Sequence, residues 1–214
     1  MKPYYDRDGI TIYHGDARDI VPEIEKVGLV LTDPPYAINA GRGEWSATAA
    51  VAIGLHETAK RVARDGSMLV FTTTSGRGIE YTQGALGGKL PLNRLLVWSK
   101  TGGRSRALSP WQWDSVAILA FGKAPKGSAG AGSVFVSPAV YERKSGHPAE
   151  LPNGIAEWLY APFDCDGLVT IDPFMGTGRL LEPAARRGRR VIGIEVEEKY
   201  CEVAVKRLAK EVLL

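Results

Sequence analysis

Cysteine is scarce: the chain of 214 residues has two, Cys165 and Cys201, and only three histidines. The cysteines form no CxxC pair and stand in no Cys/His cluster of zinc-ligand spacing, which argues against a zinc site and a disulfide framework. The expectation is a chain without a metal, in a reducing, cytoplasmic setting. No apolar run reaches the roughly 20 residues that a membrane helix needs. The N-terminal MKPYYDRDG lacks the apolar core of a signal peptide. Neither sign of charge dominates: 27 basic against 24 acidic residues leave +3, which permits nucleic-acid binding without demanding it.

What is present is a set of short apolar runs. GITIYH (9–14), GLVLT (28–32), SMLVFT (67–72), LLVWS (95–99), SVAILAF (115–121), GLVTI (167–171) and RVIGIE (190–195) read as buried strands. Helical patterns fill 47–64, 154–161, 178–188 and 197–211, with a glycine-weakened one over 77–89. Pro183 restricts the 178–188 helix to a late start or a kink. Strands alternating with helices predict an α/β fold: a mostly parallel sheet with helices on both faces, in a single domain over 1–214. Residues 101–113 and 122–147 read as loops, the second unusually long for a compact domain.

Two segments carry chemistry. The first is GLVTIDPFMGTG (167–178), a strand ending in Asp172 and a glycine-rich turn that opens a helix. Glycine there lets backbone approach a ligand, and the helix start directs amides at it. Glu195 ends the next strand about 20 residues on, where nucleotide-binding α/β units place a carboxylate on ribose hydroxyls. The turn is neither GxGxxG nor GxxxxGK[ST], which argues against NAD and against a phosphate loop. Taken alone, it is also compatible with a purely structural turn.

The second segment, Asp33-Pro34-Pro35-Tyr36, directly follows the strand GLVLT. Two prolines stiffen the chain and remove two amide donors. The carbonyls remain free to accept. A base's exocyclic amine is a poor nucleophile because its lone pair is delocalised into the ring. Two acceptors, the Asp33 carboxylate and the Pro34 carbonyl, can grip its N–H bonds and turn the lone pair toward an electrophile. Tyr36 can stack on the base, as flipped bases are held.

DPPYAI at 33–38 and DPFMGTG at 172–178, in that order, resemble the DNA amino-methyltransferases of the circularly permuted beta group. HGDA (14–17), HPAELP (147–152) and GIEVEEKYCEVAVKRL (193–208) extend the resemblance over nearly the whole chain. It implies a Rossmann-like methyltransferase fold with S-adenosylmethionine as cofactor. Asp172, Pro173, Phe174, Gly176 and Gly178 would line its methionine end. Glu195 would hold the ribose and Val196 would pack near the adenine. Asp16 and the Ala17 amide would read the adenine edge, and His147 and Pro148 would complete the pocket. Asp33, Pro34, Pro35 and Tyr36 would hold the target amine, with Asp33 also bordering the cofactor. Asp in the first motif position points to N6 of adenine rather than N4 of cytosine, and the implied setting is restriction-modification.

The chain is too short for a separate recognition domain, so DNA contacts are expected from loops within 37–50, 100–113 and 122–147. Arg42, Lys100, Arg104 and Arg106 are candidates for phosphates, Trp111 and Trp113 for stacking or wedging. The expected partner is double-stranded DNA with its target base flipped out, and a homodimer is compatible with the sequence. Alternatives are an N4-cytosine enzyme, an RNA base methyltransferase and a silent nucleic-acid-binding module. Arg186, Arg187, Arg189 and Arg190 read as a solvated helix end.

Overall fold

The computed structural model describes residues 1–35, 45–73, 76–101, 115–124, 132–138, 151–152, 154–163 and 167–212. The strands are β1 (Tyr5–Arg7), β2 (Ile10–His14), β3 (Val27–Thr32), β4 (Val62–Thr73), β5 (Leu92–Thr101), β6 (Ser115–Gly122), β7 (Val134–Pro138), β8 (Thr170–Asp172) and β9 (Val191–Glu195). The helices are α1 (Ala17–Ile20), α2 (Trp45–Arg61), α3 (Gly76–Leu86), α4 (Ile155–Tyr160), α5 (Glu182–Arg186) and α6 (Glu198–Val212). One sheet runs in the order β1-β2-β9-β8-β3-β4-β6-β5-β7. From β2 to β4 every neighbouring pair is parallel. β6 runs antiparallel to both β4 and β5, so β5 points the same way as β3 and β4.

Burial on both faces explains the continuous apolar runs. On one face, Leu29, Leu31, Leu69, Phe71, Trp98 and Ile118 pack against α4, α5 and α6. α6 turns Cys201, Ala204 and Leu208 inward at helical spacing, and all three are buried. On the other face, Val30, Met68, Val70 and Leu119 meet α1, α2 and α3 through Ile20, Val51, Leu55 and Leu86. Each such leucine or isoleucine contributes roughly 1.5–3 kcal/mol by leaving water. The predicted architecture, helices on both faces of a mostly parallel sheet, is therefore observed.

The functional consequence lies at the β8–β3 boundary. Leu29 pairs with Thr170 and Val30 with Ile171, so the two strands run side by side. From β3 the chain proceeds to β4 on one side, and from β8 to β9 on the other. The connections therefore diverge above this pair and leave a crevice beyond the strands' carboxyl ends, where open α/β sheets bind ligands.

Three expectations change. Part of the 122–147 loop is strand β7, paired in parallel with β5 from Val97↔Val134 to Thr101↔Pro138. Part of the 37–50 loop is helix, since α2 begins at Trp45. The helix expected over 178–188 is shortened to α5, with Pro183 in its first turn, where a missing N–H costs nothing.

Candidate active site

β3 delivers Thr32 and Asp33 to the crevice, and β8 delivers Asp172. Thr32 is fully buried and Asp172 is 1% exposed. The Thr32 hydroxyl donates to Asp172 Oδ1 at 2.7 Å, joining residues 140 positions apart. The Phe174 N–H donates to the same oxygen at 3.1 Å. Both hydrogen bonds to Asp172 from the described residues thus fall on Oδ1. Burial pushes the Asp172 carboxyl up to about 7; the two donors oppose the shift, while the charges of Asp33 and Glu195 add to it. Three carboxylates therefore share one end of the crevice.

The glycine turn is built around Glu195. Gly176 and Gly178 take φ of 52° and 79°, a region that favours glycine. The Gly176 N–H donates to Glu195 Oε2 at 2.9 Å and the Glu197 N–H to Oε1 at 2.8 Å. The Met175 N–H donates to the Ile194 carbonyl at 3.0 Å, fastening the turn onto β9. Phe174 packs on α2 so closely that a Cβ at Gly54 would stand 2.9 Å from its ring. Substituting Gly178 by alanine would strain the backbone and set a Cβ 3.2 Å from that of Ala204. The expected outcome is a loss of about 1–3 kcal/mol in stability, read from thermal melting.

Beside the turn, Asp16 caps α1 by accepting from the Arg18 N–H at 2.8 Å. It also pairs with the Arg18 guanidinium at 2.7 Å. That guanidinium's hydrogen bonds hold the Asp16 carboxyl below the usual carboxylate range, although the backbone bond adds to the effect. His14 Nε2 lies 3.0 Å from the Val196 carbonyl. A carbonyl only accepts, so this nitrogen carries the proton. Val196 itself is 61% exposed.

The family model N6_N4_Mtase, described as DNA methylase, matches residues 111–206. The type II methyltransferase M2.DpnII of Streptococcus pneumoniae is 24% identical over 98% of this chain and 93% of its own length. The orphan methyltransferase M.BamHII of Bacillus amyloliquefaciens is 37% identical over 68 residues, which are 32% of this chain and only 26% of that protein. Among solved structures, the M1.HpyAVI–SAM complex superposes with a TM-score of 0.71 at 25% identity, covering 93% of this chain and 99% of that one. The chain belongs to the DNA amino-methyltransferases. The cytosine-N4-specific PvuII DNA methyltransferase shares the fold at a TM-score of 0.74 and 16% identity, over 99% of this chain and 94% of that one.

In this DNA amino-methyltransferase, Asp16, Ala17, Asp33, Pro34, Asp172, Pro173, Phe174, Gly176, Gly178, Glu195 and Val196 come from the ends of β2, β3, β8 and β9, which lie along one edge of the sheet. Pro34 is buried and Pro35 exposed. Tyr36, Arg42, Arg104, Arg106, Trp111, Trp113, His147 and Pro148 lie outside the described residues. Lys100 is not a loop residue: it is in β5, half-buried, with its ammonium 4.6 Å from the Trp98 ring centroid. Arg186 and Arg187 are not merely solvated either. Both pair with Glu157, and Arg187 lies over the Tyr160 ring. The Thr32–Asp172 bond had one faint signal, a hydroxyl ending an otherwise apolar run. Among the described residues no cluster of three potential metal ligands occurs. No helix of the described residues is long and apolar enough to cross a membrane. A groove lined by Lys60, Arg64, Lys89 and Lys123 lies at the opposite edge of the sheet, away from the three carboxylates.

Proposed function

We propose that the chain methylates N6 of adenine in DNA, using S-adenosylmethionine. The observation that carries this reading is the crevice itself: the Asp33 end of β3 and the glycine turn after β8 start from adjacent parallel strands and are tied by the Thr32–Asp172 hydrogen bond.

The residues fit the cofactor chemically. A cradle of positive-φ glycines at 176 and 178 leaves backbone free of side-chain bulk. The Glu195 carboxylate is fixed by two amides and can still accept from a diol. Asp172 is buried beside it, a site where a carboxylate gains from a nearby positive charge. When bound, the cofactor supplies an electrophilic methyl on a sulfonium. Glu195 and Asp172 orient that donor from the β9 and β8 side, and Phe174, braced on α2, restricts its position.

The chain's task toward the base is to grip and exclude. The Asp33 carboxylate and the Pro34 carbonyl accept the two amine hydrogens and draw the nitrogen toward tetrahedral geometry. Holding amine and donor face to face supplies most of the rate. The resemblance of the DPPY segment places adenine ahead of cytosine, because Asp rather than Ser occupies the first position. Expression in a host that lacks base methylation, followed by digestion of its DNA to nucleosides and mass spectrometry, tests the reading. N6-methyladenine is the expected product. N4-methylcytosine would replace the base assignment, and unmodified DNA from a cofactor-binding protein would favour a silent binding module.

A further inference from the structure

We propose that Lys100 is a positioning residue for Asp33: its ammonium, seated on the Trp98 ring, holds the Asp33 carboxylate ionised and turned toward the crevice. The inference rests on the reading of Asp33 as an acceptor for the target amine.

Side-chain alternation brings the two groups to one face. Leu29 and Leu31 of β3 pack in the same core layer as Trp98 of β5. Counting on by two puts Asp33 and Lys100 on that face as well. β3 and β5 also run toward the same edge of the sheet. The platform under the ammonium is rigid. Trp98 is 6% exposed, and its indole N–H donates to Ser137 Oγ at 2.9 Å. Ser137 is in turn the register partner of Lys100 across the β5–β7 pair. Burial depresses the Lys100 ammonium below the ordinary lysine range, and the Asp33 charge works against that depression. The two groups are therefore within electrostatic reach of each other.

The need for a cation follows from the charges around Asp33. Asp172 from β8 and Glu195 from β9 both contribute negative charge at this end of the crevice. A third carboxylate there is costly to ionise unless a positive group offsets it. Lysine is a donor without acceptor capacity. It can satisfy one carboxylate oxygen and leave the other for the amine. A phosphate contact fits less well, because the ammonium lies over a buried tryptophan rather than at the end of an extended side chain in solvent.

The test compares Lys100→Met, which keeps the apolar stem over Trp98, with Lys100→Arg, which keeps the charge. Single-turnover methylation of duplex DNA is followed against pH, and duplex affinity against salt. Lys100→Met is expected to shift the acid limb of the rate profile upward by about one pH unit, costing about tenfold in rate on that side. Duplex affinity should change less than about twofold with the same salt slope. Lys100→Arg should restore most of the rate, and it serves as the reporting variant if Lys100→Met does not fold. An unmoved pH profile, or weakened binding with a salt slope reduced by about one, overturns the proposal in favour of a structural or phosphate role. Methylation that persists after Asp33→Ala would instead sink the parent reading.

Discussion

Replacing Asp33 by alanine is expected to slow single-turnover methyl transfer by about 10²–10³-fold, the usual cost of deleting one preorganised charge-stabilising partner at a reacting atom. The reason is specific to the amine. Its lone pair is conjugated with the ring until the N–H bonds are drawn out of plane, and the methyl can be accepted only along that lone pair. Removing the carboxylate leaves the Pro34 carbonyl as the remaining acceptor from this segment. Asp33→Asn keeps an acceptor oxygen without the charge and should fall between wild type and alanine. Because Asp33 follows a buried strand end and is itself only partly buried, the alanine variant should fold. Its cofactor affinity should fall far less than its rate, since the glycine turn and Glu195 are untouched. Quenched single-turnover assays with labelled donor measure the effect, and a rate within about tenfold of wild type would remove Asp33 from the chemistry.

Much of this site could be read from the chain because its parts are local. Val27–Thr32 is continuously apolar because it is covered on both faces, and Asp33-Pro34-Pro35 marks where it must stop. The 172–178 turn announces itself by glycines that only a tight, ligand-facing bend requires. What stayed hidden depends on long-range packing. The Thr32–Asp172 bond joins positions far apart in sequence, so no spacing rule could find it. Strand β7 sat inside a Gly/Ser/Ala/Pro-rich stretch; its pattern is weak because Val134 and Val136 are exposed on an edge strand. Lys100 was grouped with the neighbouring basic loop residues, and only the extension of β5 to Thr101 moved it into the sheet. The Arg186–Arg187 pair looked like a solvated helix end, because its partner Glu157 lies on a different helix.

The second large effect concerns Asp172. Its folded carboxyl titrates at about 7, against a model value of 3.8. The folded protein thus keeps a proton that the unfolded chain has already lost at mildly acidic pH. The stability contributed by this group is full below the unfolded value and disappears as pH rises through about 7, up to about 4 kcal/mol in all. Asp172→Asn removes that dependence while keeping an oxygen for Thr32 and the Phe174 amide. Without cofactor, the variant should therefore melt higher than wild type at pH 8, and the gap should close toward pH 5. Cofactor binding should respond in the opposite sense. A cationic donor favours the ionised carboxylate, so wild-type affinity should rise between pH 6 and 8 with release of a proton near the lower end. The asparagine variant should bind about tenfold more weakly or worse at pH 8, with a flat profile. Titration calorimetry in two buffers of different ionisation enthalpy reads both the affinity and the proton count. An asparagine variant that binds as tightly as wild type at pH 8 would show that the buried acid serves the turn's architecture and not the donor's charge.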